Sequence, residues 1–500
     1  MPHYLSPAEL AQTAPAETAA FRSPVPTQIV SNGEYNPLPQ TREQQRVEAR
    51  IKEMADQLGG RHGLSRRGFL ASAAGMAAAF LAMNEVFGRV FEVSPAEAAE
   101  PGVAAARAGA LSNQFICDVQ THFVRDDFKQ DGLLGLAKYA KQHWNPALAG
   151  ENDLARFKFE NYIKEIFVDS DTKVALLSGA PFDDSSWDLL SNDQIAAARS
   201  GINRIASSRR LLAHTVFTPK KNGWMNEVDR AIAEIKPDSW KGYTIGDPLF
   251  PSKLGTYWWL NDEKLVYPFY EKITKAGIPT VCIHKGLLPA DYEKSWPGVW
   301  EYATVKDLGK AAKDWPNVNF VIYHSALRPF QESPDAALAE FEQTGRIKWA
   351  TDLAEIPAKL GVKNVYGEIG TSFATCAVAN PRFAAALVGT LVKGLGPDHV
   401  LWGSDSVWYG SPQWQIEALR RLEIPEDMQR KHGMAPLGPA DGLVKTAIFG
   451  GNAARLYKIN VQSALGAITN DKIASIKAEY IAAGGERSNA RYGYVARRTA

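Results

Sequence analysis

Three of the nine histidines in the chain stand where a short apolar run ends. His122 closes Cys117-Asp118-Val119-Gln120-Thr121-His122, His284 closes Val281-Cys282-Ile283-His284, and His324 closes Val321-Ile322-Tyr323-His324. An acid, Asp405, ends Leu401-Trp402-Gly403-Ser404-Asp405 in the same way. Imidazoles and a carboxylate brought together are the donors a divalent ion such as zinc requires, with a position left open for water. Such an ion lowers the pKa of its water to about 7 and polarises a carbonyl. A carboxylate beside that water can take its proton, and a further imidazole can stabilise an oxyanion or protonate a leaving group. Asp405 and His324 are the candidates for those two tasks. Side chains alternate along a strand, so Asp118, Gln120 and His122 are expected on one face and Cys117, Val119 and Thr121 on the other, against a helix layer.

Other residues near these run ends could touch a substrate. Glu368, in Val365-Tyr366-Gly367-Glu368-Ile369-Gly370, can face the same mouth or pair within the strand end. Lys285 and Arg328, just past their histidines, can bind a substrate carboxylate or lie at the surface. Trp187, Trp258, Trp259 and Trp408 fall in loops and can wall an aromatic pocket or pack those loops. His143, His214, His399 and His432 are assigned no function.

These residues need elements to hold them. From about residue 113 the chain repeats a short apolar or β-branched run, a polar or glycine turn and a helical stretch. The strand runs are 114–123, 173–179, 211–218, 242–246, 279–286, 318–325, 364–370 and 399–406. Amphipathic stretches at 153–167, 224–235, 263–276, 302–314 and 381–395 separate them, the last opening at Asn380-Pro381 and closing at Gly396. Strands alternating with helices give a parallel sheet. Eight units over some 350 residues fit a (β/α)8 TIM-type barrel, and no GxGxxG follows the first strand to favour an open doubly wound sheet. In such a barrel the active site lies at the carboxyl ends of the strands, where the three histidines and Asp405 are placed.

These segments, together with Phe320-Val321-Ile322-Tyr323-His324 and Ile448-Phe449-Gly450-Gly451-Asn452-Ala453-Ala454-Arg455-Leu456-Tyr457, resemble the amidohydrolase superfamily, and within it the amidohydrolase-related branch of metal-dependent hydrolases and decarboxylases. The resemblance runs over residues 113–458. It implies His122 and His284 as metal ligands, Asp405 as ligand or general base, and His324 as acid/base or further ligand. The family's first strand carries histidine, or glutamate in some decarboxylases, where this chain has Gln120, and a neutral amide oxygen is a poor zinc donor. That departure implies a weaker site, a harder ion such as manganese in place of zinc, or work without metal as in the family's metal-free lactonases. In resorcylate-type decarboxylases a glutamate follows the sixth-strand histidine by three residues, where this chain has Leu327. The resemblance therefore implies first a hydrolase of an ester, lactone or amide of a small organic acid. A nonoxidative decarboxylase on the same barrel is the alternative, and a binding protein without catalysis a third.

The front of the chain differs. Residues 1–63, rich in Ala, Pro, Gln and Glu, are expected to be disordered. Residues 64–98 carry Ser65-Arg66-Arg67-Gly68-Phe69-Leu70, an alanine-rich apolar stretch and Ala96-Glu97-Ala98, and resemble a twin-arginine export signal, which implies the twin-arginine translocase as a partner and a periplasmic or other exported destination. Met54 offers a start that would bring the arginine pair close to the beginning. The apolar stretch is too rich in Ala and Gly for a stable membrane span. Residues 459–500 form a last helix, at 471–482, and a basic tail that is solvated or contacts another copy in a homo-oligomer. The rest of the composition excludes more than it assigns. A formal charge of +1, from 56 basic and 55 acidic residues, offers no field for nucleic acid. Three cysteines exclude a disulfide framework.

Overall fold

The computed structural model describes residues 23–27, 40–128, 157–248, 252–287, 292–328, 333–408 and 410–485. His143 and the first part of the stretch expected at 153–167 lie outside them.

Eight strands form one sheet in sequence order, every neighbouring pair parallel: β1 Cys117–Thr121, β2 Val174–Leu177, β3 Leu211–Val216, β4 Ser239–Tyr243, β5 Thr280–His284, β6 Asn319–Tyr323, β7 Val365–Glu368 and β8 Val400–Leu401. The chain beyond β8 closes the ring on β1: Val119 N–H donates to Trp402 O at 3.0 Å, Asp405 N–H to Gln120 O at 2.9 Å and His122 N–H to Ser406 O at 2.7 Å. This is the expected (β/α)8 barrel.

Cys117, Val119, Leu176, Leu212, Cys282, Val321, Tyr323 and Leu401 pack together inside the barrel, while Trp240, Val281, Ile283, Phe320, Ile322 and Val400 join the cluster shared with the helices. Tyr457 closes the amino-terminal end, its hydroxyl 3.4 Å from Ser239 Oγ and 3.7 Å from Cys282 Sγ. The helix before β8 is capped as its sequence demands, with Asn380 accepting from Arg382 N–H, Pro381 in the first turn and Gly396 after Leu395.

Three expectations need correction. On β1, Cys117 and Val119 face the barrel interior and not the helix layer. Asp118 opposes Ala175 whereas Thr121 opposes Leu177, so β1 spends three steps where β2 spends two. That extra residue is a bulge, and it turns the polar end of the strand back into the mouth. Thr121 leaves the interior and meets the Tyr162 hydroxyl at 2.9 Å. The fourth strand, expected at 242–246, lies three residues earlier, which puts Lys241 and Tyr243 inside.

The third correction concerns the front. Residues from 42 are folded: Arg42–Arg61 is a helix opened by a capping box between Thr41 and Gln44, with Val47, Ile51 and Met54 buried. Its apolar stripe has something to cover, which composition alone did not show. The arginine pair lies in the short helix Arg66–Leu70, and the apolar stretch forms the helix Ala73–Phe87, with Ala77, Ala78 and Phe80 essentially fully buried. Gly75 permits the close turn between them, since a Cβ there would stand 2.3 Å from Phe69 O. The segment is tied to the barrel by Gln44 Nε2 donating to Val378 O at 2.8 Å, by Phe91 bridging Leu422, and by Arg421 Nη1 donating to Glu97 Oε2 at 3.0 Å. Among the described residues no helix is long and apolar enough to cross a membrane.

Candidate active site

The end of β1, the ends of β5 and β6, and the turn after β8 bring Gln120, His122, His284, His324 and Asp405 into one buried cluster. The largest exposure among them is 4%. His122 Nε2 lies 3.1 Å from Asp405 Oδ1, and His324 Nε2 lies 3.1 Å from His284 Nδ1. Gln120 joins the two pairs, its Nε2 being 2.9 Å from Asp405 Oδ1 and 3.4 Å from His324 Nε2. The other oxygen of Asp405 accepts from Thr371 Oγ1–H at 2.5 Å.

The ring orientations follow from the backbone. His122 Nδ1 stands 3.0 Å from Ser178 O and His324 Nδ1 stands 2.9 Å from Gly370 O. A carbonyl only accepts, so both Nδ1 atoms carry hydrogen and both Nε2 atoms turn toward the centre. A neutral His122 would then set a lone pair against a carboxylate oxygen, so a proton or a cation must lie between His122 and Asp405. The same holds between His324 and His284, unless Nδ1 of His284 carries the hydrogen.

Several of these groups sit on costly backbone. His324, Ser325 and Ala326 have φ of 60°, 47° and 53°, Thr371 56° and Asp405 59°. A non-glycine residue there costs about 1–2 kcal/mol, and such strain gathers where side chains must be aimed. Burial drives the electrostatics. It pushes the His324 imidazole down to about 4 against the opposing pull of Asp405, and it also holds His284 well below the usual imidazole range, with His324 adding to the effect. Burial pushes the Asp405 carboxyl up, but the hydrogen bond and charge of His122 outweigh it and hold the group below the usual carboxylate range. Asp118, also buried, rises to about 7.

The remaining candidates fall elsewhere. Asp118 Oδ1 accepts from Ser404 N–H at 2.9 Å and Gln120 N–H at 3.2 Å, joining β1 to the turn after β8. Lys285 turns to the helix layer, where its Nζ lies 2.9 Å from both oxygens of Asp307. Arg328 pairs with Glu293 at 2.6 Å. Glu368 is fully buried under the site and holds backbone N–H groups. Of the aromatics, Trp408 stacks on His122 with ring centroids 5.7 Å apart, whereas Trp259 stacks on Tyr302, Trp258 packs on Phe217 and Trp187 lies by Phe182. His214, His399 and His432 lie by Tyr323, Lys363 O and Phe341 respectively.

Three residues of the site go beyond the expected set. Lys241 points inward from β4, its Nζ 3.5 Å from the Tyr323 ring centroid, and its charge helps to lower the His284 and His324 imidazoles. Tyr243, two residues on, stacks on His284 at 4.6 Å. The alternation Trp240-Lys241-Gly242-Tyr243 would have placed them had the strand been started at Ser239. Thr371 had no signal, since its role depends on a turn.

The donors are right in kind for a divalent ion. The His122 and His324 imidazoles are anchored through their far nitrogens, as metal-binding histidines are, and the buried Gln120 Oε1 has no hydrogen-bond partner. They meet as two pairs, and among the described residues no three His, Cys, Asp or Glu side chains are set around one point.

Residues 234–459 match the family model described as amidohydrolase. The match takes in Lys241, His284, His324, Glu368 and Asp405 but not β1. No curated protein matches the chain. Among solved structures, the chain is similar to a TIM-barrel protein from Bordetella bronchiseptica, at 13% identity and a TM-score of 0.43 over 70% of this chain and 99% of that one. It is also similar to 2,6-dihydroxybenzoate decarboxylase from Rhizobium, at 12% identity and TM-score 0.40 over 69% and 99%. A third is a dihydroxybenzoic acid decarboxylase from Polaromonas sp. JS666 with bound manganese and the inhibitor 2-nitroresorcinol, at 14% identity and TM-score 0.40 over 69% and 98%.

Proposed function

We propose that the chain is an enzyme of the amidohydrolase-related kind that moves protons at the carboxyl-derived group of a small organic acid. The observation that carries this reading is the His122–Asp405 pair, 3.1 Å apart with His122 Nδ1 already committed to Ser178 O. That pair holds either a proton ready for transfer or a cation. The positive charge of Lys241, felt by His284 and His324, supports an anionic substrate.

Two reactions use the arrangement. In nonoxidative decarboxylation the substrate carboxyl leaves as carbon dioxide and the carbon left behind takes a proton. His122 Nε2–H on Asp405 can give that proton, whereas His324, whose hydrogen is on Nδ1, presents an acceptor and cannot. The burial of the cluster favours this reaction, which consumes only a proton and gains from a dry site. In hydrolysis, Asp405 or His324 Nε2 takes the proton of an attacking water. The family match is compatible with either reaction. A divalent ion, zinc or manganese, held by His122, His284 and Asp405 with Gln120 as a weak fourth oxygen, would take the place of the His122 Nε2 proton and supply Lewis-acid polarisation of the substrate carbonyl in hydrolysis; with it bound, a decarboxylation proton would have to come from a group other than His122.

The experiment is product analysis of aromatic carboxylic acids and lactones incubated with the protein, with and without added zinc or manganese. Release of carbon dioxide establishes the first reaction and a gain of water the second. Neither change in any condition would refute the proposal in favour of a binding protein.

The arginine pair Arg66-Arg67 and the apolar segment after it also support export through the twin-arginine pathway. Cell fractionation of the wild type beside Arg66→Lys/Arg67→Lys tests that part: equal distribution of the two proteins would refute it.

A further inference from the structure

The left-handed run at His324, Ser325 and Ala326 persists only if its surroundings over-determine it. The holding groups come from the end of β7. Glu368 Oε2 accepts His324 N–H at 3.0 Å, and Glu368 Oε1 accepts Gly370 N–H at 2.5 Å. Gly370 O in turn accepts His324 Nδ1–H at 2.9 Å, and Ser325 Oγ–H donates to the Glu368 carbonyl at 2.8 Å. One carboxyl group therefore grips the His324 backbone on one side and, on the other, the N–H of Gly370, the residue whose carbonyl oxygen orients the His324 ring.

The fold makes room for this carboxyl group. A Cβ on Gly403 would stand 1.9 Å from Glu368 Oε1, and one on Gly370 2.5 Å from it. Glu368 is fully buried, and both its carboxyl oxygens are already taken by backbone N–H groups. Its position explains why two glycines flank the site in the turns after β7 and β8.

We propose that Glu368 is a positioning residue whose carboxyl group holds the turn at His324, fixes the His324 hydrogen on Nδ1 and so keeps Nε2 as the acceptor facing the centre. The proposal rests on reading His324 as a working group of that centre, but its test needs no substrate. The ring-nitrogen NMR spectrum of the full chain, with the His324 signals assigned by their loss in His324→Ala, is expected to show a single tautomer protonated at Nδ1. Glu368→Gln sets an amide N–H against one of the two backbone donors. In the folded variant the Nδ1–H signal of His324 is expected to be lost or to give way to a mixture of tautomers. An unchanged Nδ1–H signal in folded Glu368→Gln would overturn the proposal. Glu368→Asp, which withdraws the carboxylate by one methylene, carries the same test if Gln at this position prevents folding. Failure to turn over any organic acid would sink the proposed reaction and leave this outcome standing.

Discussion

His122 Nε2 and Asp405 Oδ1 face each other at 3.1 Å across the seam where the chain beyond β8 closes the barrel on β1. The two residues are held by the same backbone ladder, Asp405 N–H to Gln120 O and His122 N–H to Ser406 O. Asp405→Asn keeps that ladder and the shape of the side chain but cannot carry the charge that holds the proton. We expect a loss of roughly 10²- to 10⁴-fold in kcat/KM on whichever acid is turned over, the range for a positioned acid/base, with the melting temperature little changed. Full activity in Asp405→Asn would remove the pair from the chemistry.

Metal content is the second prediction. Protein purified without chelators is expected to hold about one equivalent of a divalent ion per chain, lost in His122→Ala/His284→Ala. Gln120→His replaces an amide by an imidazole at the strand end and should tighten binding, read as slower loss to a chelator. Elemental analysis that finds no ion in wild type or Gln120→His would turn the proposal to purely proton-based chemistry.

The Thr371 hydroxyl gives Asp405 Oδ2 its one hydrogen bond, at 2.5 Å. A bond to a charged acceptor is worth about 1.5–3 kcal/mol, so Thr371→Val should cost roughly 10- to 100-fold in kcat with KM nearly unchanged. Thr371→Ser retains the hydroxyl and should recover most of the rate. A wild-type rate in Thr371→Val beside a loss in Thr371→Ser would show that the methyl group, not the hydroxyl, matters.

Lys445 offers a pH test remote from the site. Its Nζ donates to Arg420 O at 2.8 Å, and burial lowers its ammonium to about 8. Between that value and the ordinary lysine range the unfolded chain binds more protons than the folded one, so this group's contribution to stability rises with pH through that window. Below it, both states are protonated and the penalty is complete. Lys445→Met should therefore melt higher than wild type at pH 7, and the gap should shrink as the pH approaches 10. A gap independent of pH would mean that the group is charged in the fold throughout.

The buried pair Glu97–Arg421 joins the front segment to the barrel, with side-chain exposures of 7% and 3%. Glu97→Ala leaves the guanidinium beside Glu417 alone, a loss of about 3–5 kcal/mol for a broken buried pair. Thermal unfolding should shift down by about 5 °C. A shift within a degree or two would show that the segment contributes little to the fold.

Much of this architecture was legible in the sequence because a parallel barrel writes itself as repeated apolar runs. Seven runs were placed on their strands, and the histidines at their ends came together as expected. The failures have physical causes. β4 was started late because Lys241 breaks the apolar pattern of a barrel interior, where it sits against the Tyr323 ring. The faces of β1 were reversed for Cys117 and Val119 because a one-residue bulge leaves no mark in composition. Glu368 and Thr371 act through turns with positive φ nearby, and turn geometry depends on neighbours far along the chain. Lys285 and Arg328 looked like substrate contacts, but their partners Asp307 and Glu293 lie in intervening segments that no local pattern connects to them.

Gln44 at the front of the chain reaches the carbonyl of Val378, 334 positions later. Contacts over such a span cannot form before the later partner has left the ribosome, and at about 5–20 residues per second that takes roughly 15–70 s. During that interval Phe69, Leu70 and the apolar helix that follows them have no barrel to cover them. The finished fold buries Phe69, Leu70 and most of that helix and leaves Arg66 and Arg67 exposed. The same apolar stretch is thus uncovered while the chain is being made and part of the core once it is complete.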